Sequence, residues 1–199
     1  MKSIDFYFDF SSPYGYIASC RVDDIAARHG RTVNWYPYLL GVVFKTTGRR
    51  PLPEQPLVGD YALRDFARSA RLYGVPFNMP QRLPISGVNP SRAYYWLHDQ
   101  DPQQAKALAR SLYAAYFVDG RDISDPEQVA EVTAALGIDR AAVAAALQDP
   151  KVKERLRQEC DAAIARGAFG SPFIFVDDEP FWGNDRLDQV DRWLTTGGW

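Results

Sequence analysis

The feature that most limits how this chain can fold is a split: strand-like segments lie only near its two ends, and the stretch between them reads as loop and helix. Residues 4–10 alternate strictly, with Ile4, Phe6, Phe8 and Phe10 on one side and Asp5, Tyr7 and Asp9 on the other, the period of a strand. A helical pattern follows through Tyr14, Ile17, Ala18, Val22 and Ile25 and ends at His29-Gly30; Ser12 suits its N-cap and Pro13 its first position. Residues 32–40, rich in β-branched and aromatic types, predict a second strand. Gly48, Pro51, Pro53 and Pro56 then predict a loop over 41–56. Helical faces recur over 63–73 and 105–116, from Asp125-Pro126 through Leu136, and over 139–147. Asp149-Pro150 starts a long helix stopped by Gly167. Strand character returns at 172–176 and 180–182, and Asn184-Asp185 is placed to cap a last helix carrying Leu187, Val190 and Leu194.

This order, β-α-β, then helices, then α-β-β-α, predicts an α/β, thioredoxin-like fold interrupted by an all-helical insertion domain. Residues 1–40 and 150–199 would form the thioredoxin-like domain, and 41–149 the loop and insertion. With 199 residues, 46% of them hydrophobic, the chain can bury a sizeable core. No apolar run nears the roughly 20 residues that span a bilayer. Met1 to Asp5 enters a strand pattern without a secretory signal, so no membrane partner and a cytoplasmic location are expected. A net charge of −2, with acids and bases interspersed, argues against a nucleic-acid partner. Cys20 and Cys160 lack CxxC spacing and read as small core residues. With His29 and His98 they make no metal-ligand cluster, so no metal is expected.

Three places carry chemistry. Ser12 stands at a strand-to-helix junction, where free backbone N–H groups and the helix dipole favour negative charge. A thiol held there has its pKa lowered from about 8.5 toward neutrality. A serine hydroxyl donates to an anion but forms no disulfide, so the thiolate would come from outside, and glutathione is the cytoplasmic source. The plainer reading of Ser12 is a helix cap alone. Ser171-Pro172 lies just before a strand. In a split thioredoxin-like order a cis-proline is expected there, with Ser171 offering backbone groups to an extended peptide such as glutathione. Trp182-Gly183-Asn184-Asp185-Arg186 forms a second anion-favouring turn, suited to a γ-glutamyl carboxylate, with Asp185 pairing the amino group.

Five segments in order (8–16 FDFSSPYGY, 40–48 LGVVFKTTG, 73–77 YGVPF, 169–172 FGSP and 182–186 WGNDR) together resemble the 2-hydroxychromene-2-carboxylate isomerase family, kin of kappa-class glutathione transferases and DsbA-like oxidoreductases. The resemblance covers essentially the whole chain. Ser12-Pro13-Tyr14-Gly15 falls where the oxidoreductases have Cys-Pro-X-Cys, so both redox positions are lost. The family implies a glutathione-dependent isomerisation of an aromatic-degradation intermediate, in which the thiolate adds reversibly to a conjugated carbon. Ser12 would be catalytic, polarising the sulfur, and Ser171, Trp182, Gly183, Asn184 and Asp185 match the family's glutathione positions. The small acidic aromatic substrate would be met by Lys45, with Arg49 and Asn89 as further candidates, and a homodimer is implied. Arg49 stands where many relatives have asparagine, and residues 84–90 are longer than the usual segment. Two rivals stay open: a transferase that leaves glutathione on its product, and a glutathione- or peptide-binding module without turnover.

Overall fold

The computed structural model describes residues 3–199; Met1 and Lys2, on which part of the expectation about a leader rested, lie outside the described residues. Strand β1 (Ile4–Phe8) leads to helices α1 (Pro13–Ser19) and α2 (Val22–Arg28) and then to β2 (Val33–Pro37). Helices α3 (Leu40–Thr47), α4 (Val58–Leu72), α5 (Val88–His98), α6 (Pro102–Phe117), α7 (Pro126–Ala134), α8 (Arg140–Ala146) and α9 (Pro150–Ala165) follow. The chain returns through β3 (Phe173–Val176) and β4 (Glu179–Trp182) and ends in α10 (Leu187–Thr196). The sheet order is β2-β1-β3-β4, with β1 parallel to β2 and antiparallel to β3, and Phe6 opposite both Trp35 and Ile174. This is the thioredoxin-like α/β arrangement with its helical interruption.

β1 is an inner strand, paired on both edges, and side chains from the helices cover both of its faces. Phe6 and Phe8 pack against Trp35, and Phe8 also meets Tyr94 of α5 and Tyr113 of α6. On the other face Tyr7 stacks on Tyr36 and meets Phe175, beneath the Arg166 guanidinium. The alternation therefore does not separate core from solvent: Tyr7 and Asp9, on the side opposite Phe6 and Phe8, are buried as well. The sheet and the inserted helices share one apolar cluster.

Four local expectations change. The first helix breaks at Cys20-Arg21 into α1 and α2, with Ser19 Oγ bonded to the Tyr16 carbonyl at 2.6 Å. The break sends Arg21 to Asp188 at 2.8 Å and over the Tyr73 ring. Residues 41–56 are not all loop, since α3 occupies 40–47. Its N-cap Leu39 has no capping side chain. The Leu40 amide instead donates at 2.7 Å to Asp9, across 31 positions of sequence. Helix α5, not among the helices expected from the sequence, begins within the 84–90 segment, where Pro90 at the third position costs no intrahelical bond. At the C-terminal end Asn184 caps nothing; 184–186 form a short 3₁₀ turn before α10. Cys160 is buried as expected, whereas Cys20 is exposed. The Asp-Pro signals hold, with Asp125 and Asp149 each accepting from the second amide of its helix.

Candidate active site

Ser12 sits in extended backbone (φ −91°, ψ 114°) as the N-cap of α1, with Pro13 in the first position. Its Oγ accepts from the Gly15 amide at 3.0 Å and donates to the Ser171 carbonyl at 2.9 Å. The hydroxyl is thus capping group and tether at once, joining α1 to the loop before β3. That loop carries a cis peptide at Ser171-Pro172. Ser171 turns its own Oγ to accept from the Asp9 amide at 2.9 Å, and the Asp9 carbonyl accepts from Tyr113 Oη at 2.9 Å. The two serines and the end of β1 are locked together before any ligand arrives.

Asp9 is the residue that sequence reasoning missed. It is 3% exposed, and both oxygens of its carboxylate are engaged: Oδ1 takes the Ser11 amide (2.7 Å) and hydroxyl (2.8 Å), and Oδ2 takes the Leu40 amide. Burial pushes its pKa up, and the hydrogen bonds from Ser11 and Leu40 oppose that rise. An Asx turn onto Ser11 was the one local signal that could have found it. Asp9→Asn keeps the shape but turns an NH₂ toward a donor. It should destabilise the protein by about 1–3 kcal/mol, read as a lower urea midpoint with an unchanged slope.

These groups form the floor of a cavity of about 1210 Å³. Tyr14, Phe44, Phe66, Phe169 and Trp182 contribute its apolar wall. Tyr14 Oη donates to Asp65 at 2.5 Å; burial first, and the Asp65 contact second, push the phenol pKa far up, so it stays protonated. Trp182 is half exposed, and its indole lies against Gly170, leaving no room for a Cβ there. Gly183 has φ 117°, which only glycine adopts freely, and its amide donates to the Pro172 carbonyl at 3.1 Å. Asn184 is 4% exposed, lines the cavity, and holds its Oδ1 buried with no hydrogen-bond partner. Asp185 beside it is exposed and pairs with Arg186 at 2.8 Å.

The structure thus brings Ser12, Ser171, Trp182, Gly183, Asn184 and Asp185 to one cavity, with Lys45 and Arg49 on its lining. Asn89 is elsewhere: its amide donates to the Ser124 carbonyl at 2.8 Å, and it does not line the cavity. Among the described residues no helix is long and apolar enough to cross a membrane, and no His, Cys, Asp and Glu cluster fit for a metal is present.

A thioredoxin fold with serine and glycine at the redox positions of α1 defines a class of protein that uses this scaffold without a disulfide of its own. A family model described as a DSBA-like thioredoxin domain matches residues 3–195. The 2-hydroxychromene-2-carboxylate isomerase of Sphingobium xenophagum is 31% identical over 97% of this chain and 98% of its own. The chain belongs to the DsbA-like thioredoxin family and, within it, to the 2-hydroxychromene-2-carboxylate isomerase family. A solved structure of a 2-hydroxychromene-2-carboxylate isomerase superposes with a TM-score of 0.88 at 30% identity, covering 98% of this chain and 95% of that one. Glutathione S-transferase kappa 2 of Caenorhabditis elegans is 28% identical over 97% of this chain and 92% of its own.

Proposed function

We propose that this protein is a glutathione-dependent isomerase of a small acidic aromatic-degradation intermediate, such as 2-hydroxychromene-2-carboxylate, which it would convert to trans-o-hydroxybenzylidenepyruvate. The observation that carries the reading is the Ser12 hydroxyl, tied to the loop before β3 at the floor of a cavity with aromatic walls and with Lys45 and Arg49 on its lining. The names of the relatives support it. A volume of about 1210 Å³ exceeds what one drug-sized ligand fills, which suits a tripeptide with a second molecule.

The residues present fit glutathione. The orphaned Oδ1 of Asn184 needs a donor, which the γ-glutamyl ammonium supplies, and Asp185 adds negative charge beside it. The turn at Gly183 and the cis-proline loop would hold the peptide backbone, with Trp182 packed alongside. When bound, glutathione supplies a thiolate that adds reversibly to a conjugated carbon. Ser12 Oγ–H, which donates to the Ser171 carbonyl, would donate to that anion instead, while Oγ kept the Gly15 amide. Lys45 and Arg49 orient the acidic substrate. The aromatic wall excludes water from its ring.

The deciding experiment incubates the protein with glutathione and a chromene carboxylate. Isomerisation at constant glutathione concentration supports the reading; stoichiometric loss of glutathione would make it a transferase, as its kappa-class relative is named. Binding is checked separately. Glutathione should raise the melting temperature with concentration, while cysteine and mercaptoethanol should not, and Asp185→Ala should weaken the glutathione effect. Equal stabilisation by all three thiols would overturn the site assignment.

A further inference from the structure

Arg21 acts on the cavity from behind. It is not on the lining, yet its guanidinium contacts two residues that are, Tyr73 and Asn184. It stands where the first helix breaks, as the N-cap of α2, with φ −124° and ψ −31°. Nη1 donates to the Asn184 carbonyl at 3.3 Å, and Nη2 donates to Asp188 Oδ1 at 2.8 Å. The guanidinium carbon lies 3.6 Å from the Tyr73 ring centroid, a close cation–π contact. The Arg21 side chain is 18% exposed, whereas that of Asp188 is 71% exposed. An ion pair so open on one side contributes little to stability. The sheltered contacts, on the carbonyl and the ring, are the ones that use the planar fork of an arginine.

Asn184 depends on such a support. Its buried Oδ1 has no hydrogen-bond partner, and the direction in which that oxygen points is set by the backbone that carries it. On one side the Gly183 amide is tied to the Pro172 carbonyl at 3.1 Å. On the other, the Asn184 carbonyl accepts from the Leu187 amide and from Arg21. The Leu187 bond lies within the turn and moves with it. Arg21 instead fixes the turn against a different element, the α1–α2 break. The guanidinium is itself held by Tyr73, at the end of α4, and by Asp188 in α10.

We propose that Arg21 is a positioning residue for glutathione: it sets Asn184 so that Oδ1 meets the γ-glutamyl ammonium, without touching the ligand itself. The proposal rests on the glutathione reading above. It ties the γ-glutamyl end of the ligand to the inserted helix α4 through Tyr73. The sulfur end, governed by Ser12 and the Gly15 amide, lies outside its reach.

The test titrates glutathione by calorimetry into the full-length protein and follows hydrogen exchange over residues 183–190 without ligand. Arg21→Met keeps the apolar stem and loses the donors and the charge. It should weaken glutathione roughly five- to twentyfold and speed exchange over 183–190. Arg21→Lys, which keeps the charge without the planar fork, should fall between Arg21→Met and wild type. Asp188→Asn removes only the exposed pair and should change the affinity less than about twofold. The thiol pKa of bound glutathione should stay at its wild-type value in Arg21→Met, a split that general loosening of the site would not give. In an Asn184→Ala background Arg21→Met should cost less than about twofold, because it acts through Asn184. An undiminished effect in that background overturns the proposal, and so does wild-type affinity in Arg21→Met. A wild type that binds no glutathione would sink the glutathione reading, and exchange then judges Arg21 by itself. Faster exchange over 183–190 in Arg21→Met sustains its hold on the Asn184 turn, and unchanged exchange overturns it.

Discussion

Ser12→Ala should raise the pKa of the thiol of bound glutathione by about one to two units, the equivalent of one charge-assisted hydrogen bond. The direction follows from the bond itself: a donor to the anion favours the charged form, and removing it returns the thiol toward its free value. Each unit lost near neutral pH cuts the thiolate fraction about tenfold, so turnover at pH 7 should fall roughly ten- to hundredfold and recover partly at higher pH. Some depression should survive, because the amides at the start of α1 remain. The same substitution removes the acceptor for the Gly15 amide and the donor to the Ser171 carbonyl, costing about 1–3 kcal/mol of stability. Ultraviolet absorbance of the thiolate against pH, with glutathione saturating in both proteins, separates the two effects. A mutant that binds glutathione with an unshifted thiol pKa would reduce Ser12 to a cap and remove the catalytic assignment.

Gly15→Ala should be among the most damaging single-atom additions in the molecule. A Cβ at this position would stand 2.6 Å from Ser171 Oγ and 2.8 Å from Tyr113 Oη. Neither neighbour is free to move, since Ser171 Oγ accepts from the Asp9 amide and Tyr113 Oη donates to the Asp9 carbonyl. Overpacking together with strained hydrogen bonds costs about 2–4 kcal/mol. For a chain of this size that lowers the melting temperature by roughly 5–15 °C. Gly41→Ala in α3 is the control: nothing lies within 4 Å of its added Cβ, and it should be neutral or slightly stabilising. Equal melting temperatures for Gly15→Ala and wild type would refute the packing argument. The same crowding bears on redox chemistry, because Ser171 and Tyr113 fill the space that a second cysteine at position 15 would need.

The features legible in the sequence were those whose signal is local. The alternation of residues 4–10, the Ser12-Pro13 start and the Asp-Pro starts at 125 and 149 each depend on backbone groups within a few positions, and each stands in the structure as a strand or capped helix. Their order along the chain was enough to predict the thioredoxin-like plan and its interruption, and it placed Ser12 and Ser171 at facing junctions.

What the tertiary structure decided are the contacts that join distant segments. Helix α3 carries Lys45 and ends at Thr47, and it takes its N-terminal acceptor from Asp9 outside the helix, so a stretch of breakers hid it. Asp9 lies on the second side of the alternating segment, whose burial the alternation leaves open, and only the tertiary fold makes it a buried hub. Asn184 looked like a helix cap, and its burial with an unpaired oxygen depends on the Pro172–Gly183 bond that folds the turn back toward the cavity. Asn89 illustrates the converse, a candidate drawn away by the Ser124 carbonyl. Local periodicity and capping report hydrogen bonds that a segment makes with itself. A buried polar group, by contrast, must find its partners wherever the fold brings them, and no short window of sequence holds that information.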